Sequence, residues 1–205
     1  MGRRSDHSRD ELVALILSTG HDLLADVGLS RFSAREAAKR IGYSVGTILN
    51  LFGSVDGLLA AINTRTFDLW ATHLRERLAR ADDDRIAALV DGYFQFARAH
   101  PALWTAIYEH RLPPGMSLSD EDHAARGALT EIVIAEVAAA LSATPADVAP
   151  LARSLVAIVH GHCTFAISGA WDLMGEKAPE AAALARVREV LAAHRSVAPS
   201  MPSKG

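Results

Sequence analysis

The chain has 205 residues, half of them hydrophobic, and carries 21 Lys and Arg against 24 Asp and Glu, for a net charge of −3. That size allows one or two compact domains with a sizeable core, and the charge excludes a broadly basic protein that clings to nucleic acid through its whole surface. A single cysteine, Cys163, excludes an intrachain disulfide.

Alanine and leucine abound and strand-like runs are missing, so the expected fold is all-α with about nine helices. Leu12, Leu15, Ile16, Leu23 and Leu24 recur at helical spacing and predict a first helix from Asp10 to Asp26, stopped by Gly28. No apolar signal core precedes it, which predicts a chain without a leader that works in the cytoplasm.

Ser33 and Glu36 have the spacing of a capping box, in which each side chain reaches the other residue's backbone N–H. The short helix they open runs to Arg40, Gly42 supplies a tight turn, and Ser44 caps a second short helix, Val45 to Leu51. Residues 32–51 therefore read as a helix-turn-helix, whose second helix lies in the DNA major groove while the first crosses the backbone.

Four-residue spacing turns Ile48 and Phe52 inward, which leaves Val45, Gly46, Thr47, Leu49 and Asn50 to face outward. Asn50 suits adenine, Val45 and Leu49 suit thymine methyls, and Thr47 suits a phosphate or a base edge. Ser33 suits a phosphate, and Arg35 a phosphate or a base. Ser44 completes this expected DNA-binding set as the cap of the reading helix. Arg3, Arg4 and Arg9 suggest an arm that follows the DNA backbone. The local balance is neutral, with seven basic and seven acidic residues in 1–60.

Ser54 caps a longer helix that carries Leu58, Ile62 and Trp70, and Asp82-Asp83-Asp84 opens the next. A short helix follows His100-Pro101, Pro113-Pro114-Gly115 breaks the pattern, and Ser119 caps a helix to Leu141. Thr144-Pro145 opens a long helix to Trp171, apolar nearly all round and so expected to be buried on more than one side. A last helix spans 179–194. The predicted division is 9–60, 61–196 and a disordered tail at 197–205.

Phe94, Trp104, Tyr108, His110, His160, Cys163 and Phe165 make a candidate ligand set, mostly apolar with a few polar anchors. His160 and Cys163 share a helix face while His162 points away, so no metal site is expected. No nucleophile elbow, phosphate-cradling loop or facing carboxylate pair points to catalysis, and no cofactor is expected. The uncharged run Ser154 to Trp171 reads as a buried helix, not as a membrane span.

The first sixty residues resemble the TetR family of bacterial transcriptional regulators. The motifs that carry the resemblance are Ser33-x-x-Glu36-Ala37-Ala38, Gly42-Tyr43-Ser44-x-Gly46-Thr47, Phe52 and Leu58-Leu59. The later part is similar to the family's WHG-type ligand domains, through Tyr93-x-x-Phe96-Ala97, His100-Pro101 and His160-Gly161, although Val156 stands where a tryptophan is usual. The chain also departs from the family at the DNA face, with Leu49 and Asn50 at two usually aromatic or histidine positions and Val55 where a lysine is common.

The resemblance implies a ligand-responsive repressor that occupies a near-palindromic double-stranded operator and is released by a largely apolar small molecule. It also implies a homodimer, for which the helices at 145–171 and 179–194 are the expected interface. The alternative is an all-helical small-molecule-binding dimer that has lost specific DNA binding, which Val55, Leu49 and the neutral N-terminal segment favour.

Overall fold

The computed structural model describes residues 7–197. Among them are ten α-helices, one 3-10 turn and no strand, so the fold is all-α as expected. The described residues divide into two compact units, residues 7–70 with 100–127, and residues 71–99 with 128–197.

The first unit begins with α1 (Arg9–Val27), where Ser8 and Glu11 form a complete capping box: the Glu11 N–H donates to the Ser8 hydroxyl and the Ser8 N–H to the Glu11 carboxylate. After the turn Leu29–Arg31, Ser33 caps α2 (Ala34–Arg40) by accepting from the Glu36 N–H at 3.4 Å. Only this half of the predicted box forms, because the Glu36 carboxylate turns instead to Lys39 and Arg40, at 4.0 and 3.6 Å.

Gly42 takes φ 74°, a left-handed conformation that suits glycine, and α3 (Val45–Phe52) follows, capped by Ser44. Ser54 then caps α4 (Val55–Ala79), accepting from the Gly57 N–H at 3.0 Å.

Apolar burial on these helices makes one core. Ile16 and Leu24 of α1, Ala37 and Ala38 of α2, Ile48 of α3 and Leu58 and Ile62 of α4 are all buried. Leu103 and Ala106 of α6 (Pro101–Glu109) join them, because α6 packs on α1. This return places α6 in the first compact unit, since periodicity does not reveal which distant helix a short apolar segment will cover. The first unit also takes in the start of α7 (Asp120–Leu141), where Arg126 donates to the Ala60 carbonyl at 2.7 Å and the Thr64 hydroxyl at 3.0 Å.

In the second unit, α5 (Arg85–Ala99), α8 (Pro145–Ile167) and α10 (Pro179–Val197) pack together. Each contributes an apolar stripe: Leu89, Tyr93, Phe94 and Ala97 on α5, Val148, Ala152, Leu155, Val159 and Cys163 on α8, and Ala183, Val187 and Leu191 on α10. Arg85 grips Glu136 through two hydrogen bonds of 2.6 and 2.7 Å, and Arg98 meets Glu180 at 2.7 Å.

The extent of α8 differs from the expectation. The helix predicted to reach Trp171 stops at Ile167, because Gly169 adopts φ 75°, and a separate short helix α9 (Ala170–Met174) follows, making ten helices instead of nine. Within the chain α8 is buried along one stripe only, while Ala157, Gly161 and Phe165 are exposed on the opposite face. Of the remaining expectations, the arm residues Arg3 and Arg4 and the tail from residue 198 lie outside the described residues, while Arg9 and Val197 belong to α1 and α10.

Candidate nucleic-acid interface and ligand cavities

The sequence of α3 sorts its side chains into an anchor and a face. Ile48 is fully buried, and Val45, Leu51 and Phe52 lean on the same core. Val45 is thus half-buried, where four-residue spacing had turned it outward: as the first residue of the helix it covers the turn behind it. Gly46, Leu49 and Asn50 are exposed, Leu49 at 37%.

Hydroxyl groups at the start of α3 are engaged with each other. The Ser44 Oγ accepts from the Thr47 N–H at 3.2 Å and stands 3.1 Å from the Thr47 Oγ1. By contrast, among the described residues the Asn50 carboxamide has no hydrogen-bond partner. Ser33 and Arg35 are exposed on α2. Val55, at the start of α4, is 39% exposed.

The seven candidate ligand residues fall in different units. Trp104, Tyr108 and His110 belong to the first, and Phe94, His160, Cys163 and Phe165 to the second. Trp104 is buried with its ring 5.3 Å from that of Tyr108, which is itself 41% exposed. His110 is held by α4, with Nε2 3.2 Å from the Asp56 Oδ1 and Nδ1 3.4 Å from the Asn63 Nδ2.

In the second unit, Phe94 lies under the Arg98 guanidinium, 5.3 Å from the ring centre. His160 Nδ1 is 2.8 Å from the Tyr93 hydroxyl, and Phe165 sits at the surface with its ring 5.3 Å from that of Trp171. Burial holds the His160 imidazole below its ordinary pKa, and burial pushes the Cys163 thiol up to about 12. A neutral imidazole and a protonated thiol are thus the forms this environment favours.

Two of the cavities within this unit lie along α5 and α8. One, of about 50 Å³, is walled by Leu74, Ile86, Leu89, Val90, Tyr93, Val133, Val137, Leu155, Val156, Val159 and Val187. The other, of about 250 Å³, is walled by Phe94, Arg98, Cys163, Ala166, Ile167, Trp171, Asp172, Glu176, Lys177 and Pro179. Phe94 and Cys163 of the candidate set line the second. Tyr93, Arg98 and Trp171 were not singled out as ligand residues, although Tyr93 recurs on the α5 stripe with Leu89 and Ala97 at four-residue spacing. Among the described residues no single helix is long and apolar enough to cross a membrane.

Comparison with known proteins gives this arrangement a context. Residues 16–62 match the family described as bacterial regulatory proteins, tetR family, and residues 86–193 match the tetracycline-repressor-like C-terminal domain. The HTH-type transcriptional regulator BetI of Cronobacter sakazakii is 31% identical over 102 residues, covering 48% of each chain. The chain thus spans about half the length of the curated relatives it matches. A Rhodococcus protein of unknown function shares the fold with a TM-score of 0.71 at 24% identity, over 94% of this chain and 98% of that one. A TetR protein of Acinetobacter baumannii in complex with minocycline does so at 0.59 and 15% identity, over 90% and 97%. With the C-terminal match alone extending over more than half of the sequence, the chain belongs to the TetR family of bacterial transcriptional regulators.

Proposed function

We propose that the protein is a homodimeric, ligand-responsive repressor that works in the cytoplasm. In this reading α3 of each subunit enters the major groove of one half of a near-palindromic operator, while on α2 Ser33 meets the backbone and Arg35 the backbone or a base. The observation that carries it is the division of α3 into a buried anchor, Ile48, and an exposed face with Leu49 and Asn50.

One such head makes few contacts, so affinity depends on pairing two. The exposed side of α8, with Ala157 and Gly161, supports a dimer interface through α8 and α10, since small residues let helices approach closely. The effector is read as a largely apolar small molecule held in the second unit, for which the apolar lining of the first cavity provides support. It releases the operator only if it binds the DNA-incompetent arrangement more tightly than the other.

A second reading, a small-molecule-binding dimer without specific DNA affinity, draws on the exposure of the apolar Leu49 and Val55. Titration of the full chain with labelled promoter fragments and scrambled duplexes, at low and physiological salt, tests the two. A repressor prefers one fragment and loses affinity steeply with salt; equal binding to scrambled duplex favours the second reading.

A further inference from the structure

The DNA-reading face carries information about the sequence it reads. From Ile41 to Val55 there is no charged residue, so the segment from the turn through α3 to the first residue of α4 offers only apolar and neutral polar groups. In the major groove guanine is met by Arg or Lys, and cytosine by Asp or Glu. None of these is available on α3. Adenine instead presents an N7 acceptor and an N6 donor that a carboxamide pairs with twice, and thymine presents a methyl group for an apolar side chain.

The structure narrows the groups that can do this. Val45 is half-buried against the core, and Ser44 and Thr47 are hydrogen-bonded to each other. Leu49 and Asn50 remain, consecutive and exposed. Gly46, one turn before Asn50, is exposed as well, and a β-carbon there meets nothing closer than the Ser44 Oγ at 3.5 Å. The fold itself therefore does not require glycine at 46, whereas close approach to a groove benefits from one.

Two nearby cations are engaged elsewhere. Arg40 is paired with Asp26 and Glu36, and Lys39 with Glu36. Arg35 is exposed on α2, the helix that crosses the DNA backbone in this motif.

We infer that each α3 reads neighbouring A·T base pairs, Asn50 forming two hydrogen bonds to the N6 and N7 of an adenine and Leu49 packing on the methyl group of a thymine. This rests on the operator reading above and narrows the expected base contacts to Asn50 with adenine and Leu49 with thymine, on adjacent base pairs.

The test selects duplexes from a random pool with the full-length chain and measures binding of the enriched duplex. Enriched half-sites are expected to share an A·T step. Deoxyuridine in place of that thymine, which removes only the methyl group, is expected to weaken binding about fivefold, in keeping with loss of one buried methyl. Replacing the adenine by 7-deazaadenine, which removes N7, is expected to weaken it about tenfold.

Leu49→Ala should abolish the response to uracil and keep the response to 7-deazaadenine, and Asn50→Ala should do the reverse. Both are surface substitutions, and unchanged melting curves would establish that both variants fold. An enriched operator without the A·T step, or one indifferent to both base changes, overturns the inference alone. A pool in which no sequence is enriched overturns the operator reading as well.

Discussion

The Tyr93 hydroxyl and the His160 Nδ1 meet at 2.8 Å, joining α5 to α8 across 67 positions of sequence. With Nδ1 accepting from the phenol, Nε2 carries the proton and points to the Thr164 hydroxyl 3.3 Å away. Burial keeps this imidazole below its ordinary pKa. In the unfolded chain His160 takes up a proton as pH falls through the usual histidine range, and in the folded chain it resists until lower pH. The unfolded state therefore binds more protons in that interval, and stability drops as pH falls from about 7 toward 5. Urea midpoints at pH 7.5, 6.5 and 5.5 should decline, and His160→Gln should flatten part of the decline. Glu180, raised chiefly by burial, acts in the opposite direction, so the difference between wild type and variant is the quantity to compare. An identical pH dependence in the two would remove His160 from this role.

Much of the fold follows local rules and was readable from them. Ser44 before Val45 and Thr144 before Pro145 mark helix starts because their side chains satisfy backbone donors within three residues. The break at Gly169 was not readable. A glycine in an apolar, alanine-rich run is compatible with helix, and only the packed chain selects its left-handed conformation. The return of Leu103 and Ala106 to the α1 core and the bond from Tyr93 to His160 depend on distant partners that no periodicity names. For the candidate site, spacing sorted Ile48 from Leu49 and Asn50, while Val45 is half-buried, because a helix's first residue covers the preceding turn as well as its own face.

Gly57 sits where α4 leaves α3, and a β-carbon there would overlap the Phe52 carbonyl oxygen. Backbone atoms cannot rotate away as a side chain end can, so Gly57→Ala must displace the end of α3 or the first turn of α4. The expected cost is about 1–3 kcal/mol, the range for overpacking, together with weaker operator binding because α3 is re-aimed. Thermal melting and DNA titration of the variant check both. Wild-type stability and affinity in Gly57→Ala would mean that the junction adjusts without moving α3.

Cys163 is fully buried, and its thiol is pushed up to about 12 from an ordinary value of 9.0. Three pKa steps correspond to about a thousandfold less thiolate near neutral pH. A disulfide reagent should therefore label the native protein very slowly and react promptly once urea unfolds it. Rapid labelling under native conditions, with the melting curve unchanged, would show that the second unit opens far more readily than its packing implies. Cys163→Ala should abolish labelling, in urea as well, and leave DNA binding intact.

Gly161 separates the fold of one subunit from the proposed pairing of two. It lies on the exposed side of α8, and a β-carbon there would have nothing within 4 Å. Gly161→Arg is therefore accommodated within the subunit, and replacing a helix-interior glycine should not lower, and can raise, helix stability. The same side chain would hold a second α8 away and place charge in an apolar contact. Sedimentation analysis should find the variant monomeric at concentrations where wild type is dimeric, with its circular dichroism retained. Operator affinity should fall by at least a hundredfold, since a single head loses the contacts of its partner. If Gly161→Arg stays dimeric, the interface lies elsewhere. If it becomes monomeric yet binds the operator as tightly as before, the two-headed reading of the DNA contact is wrong.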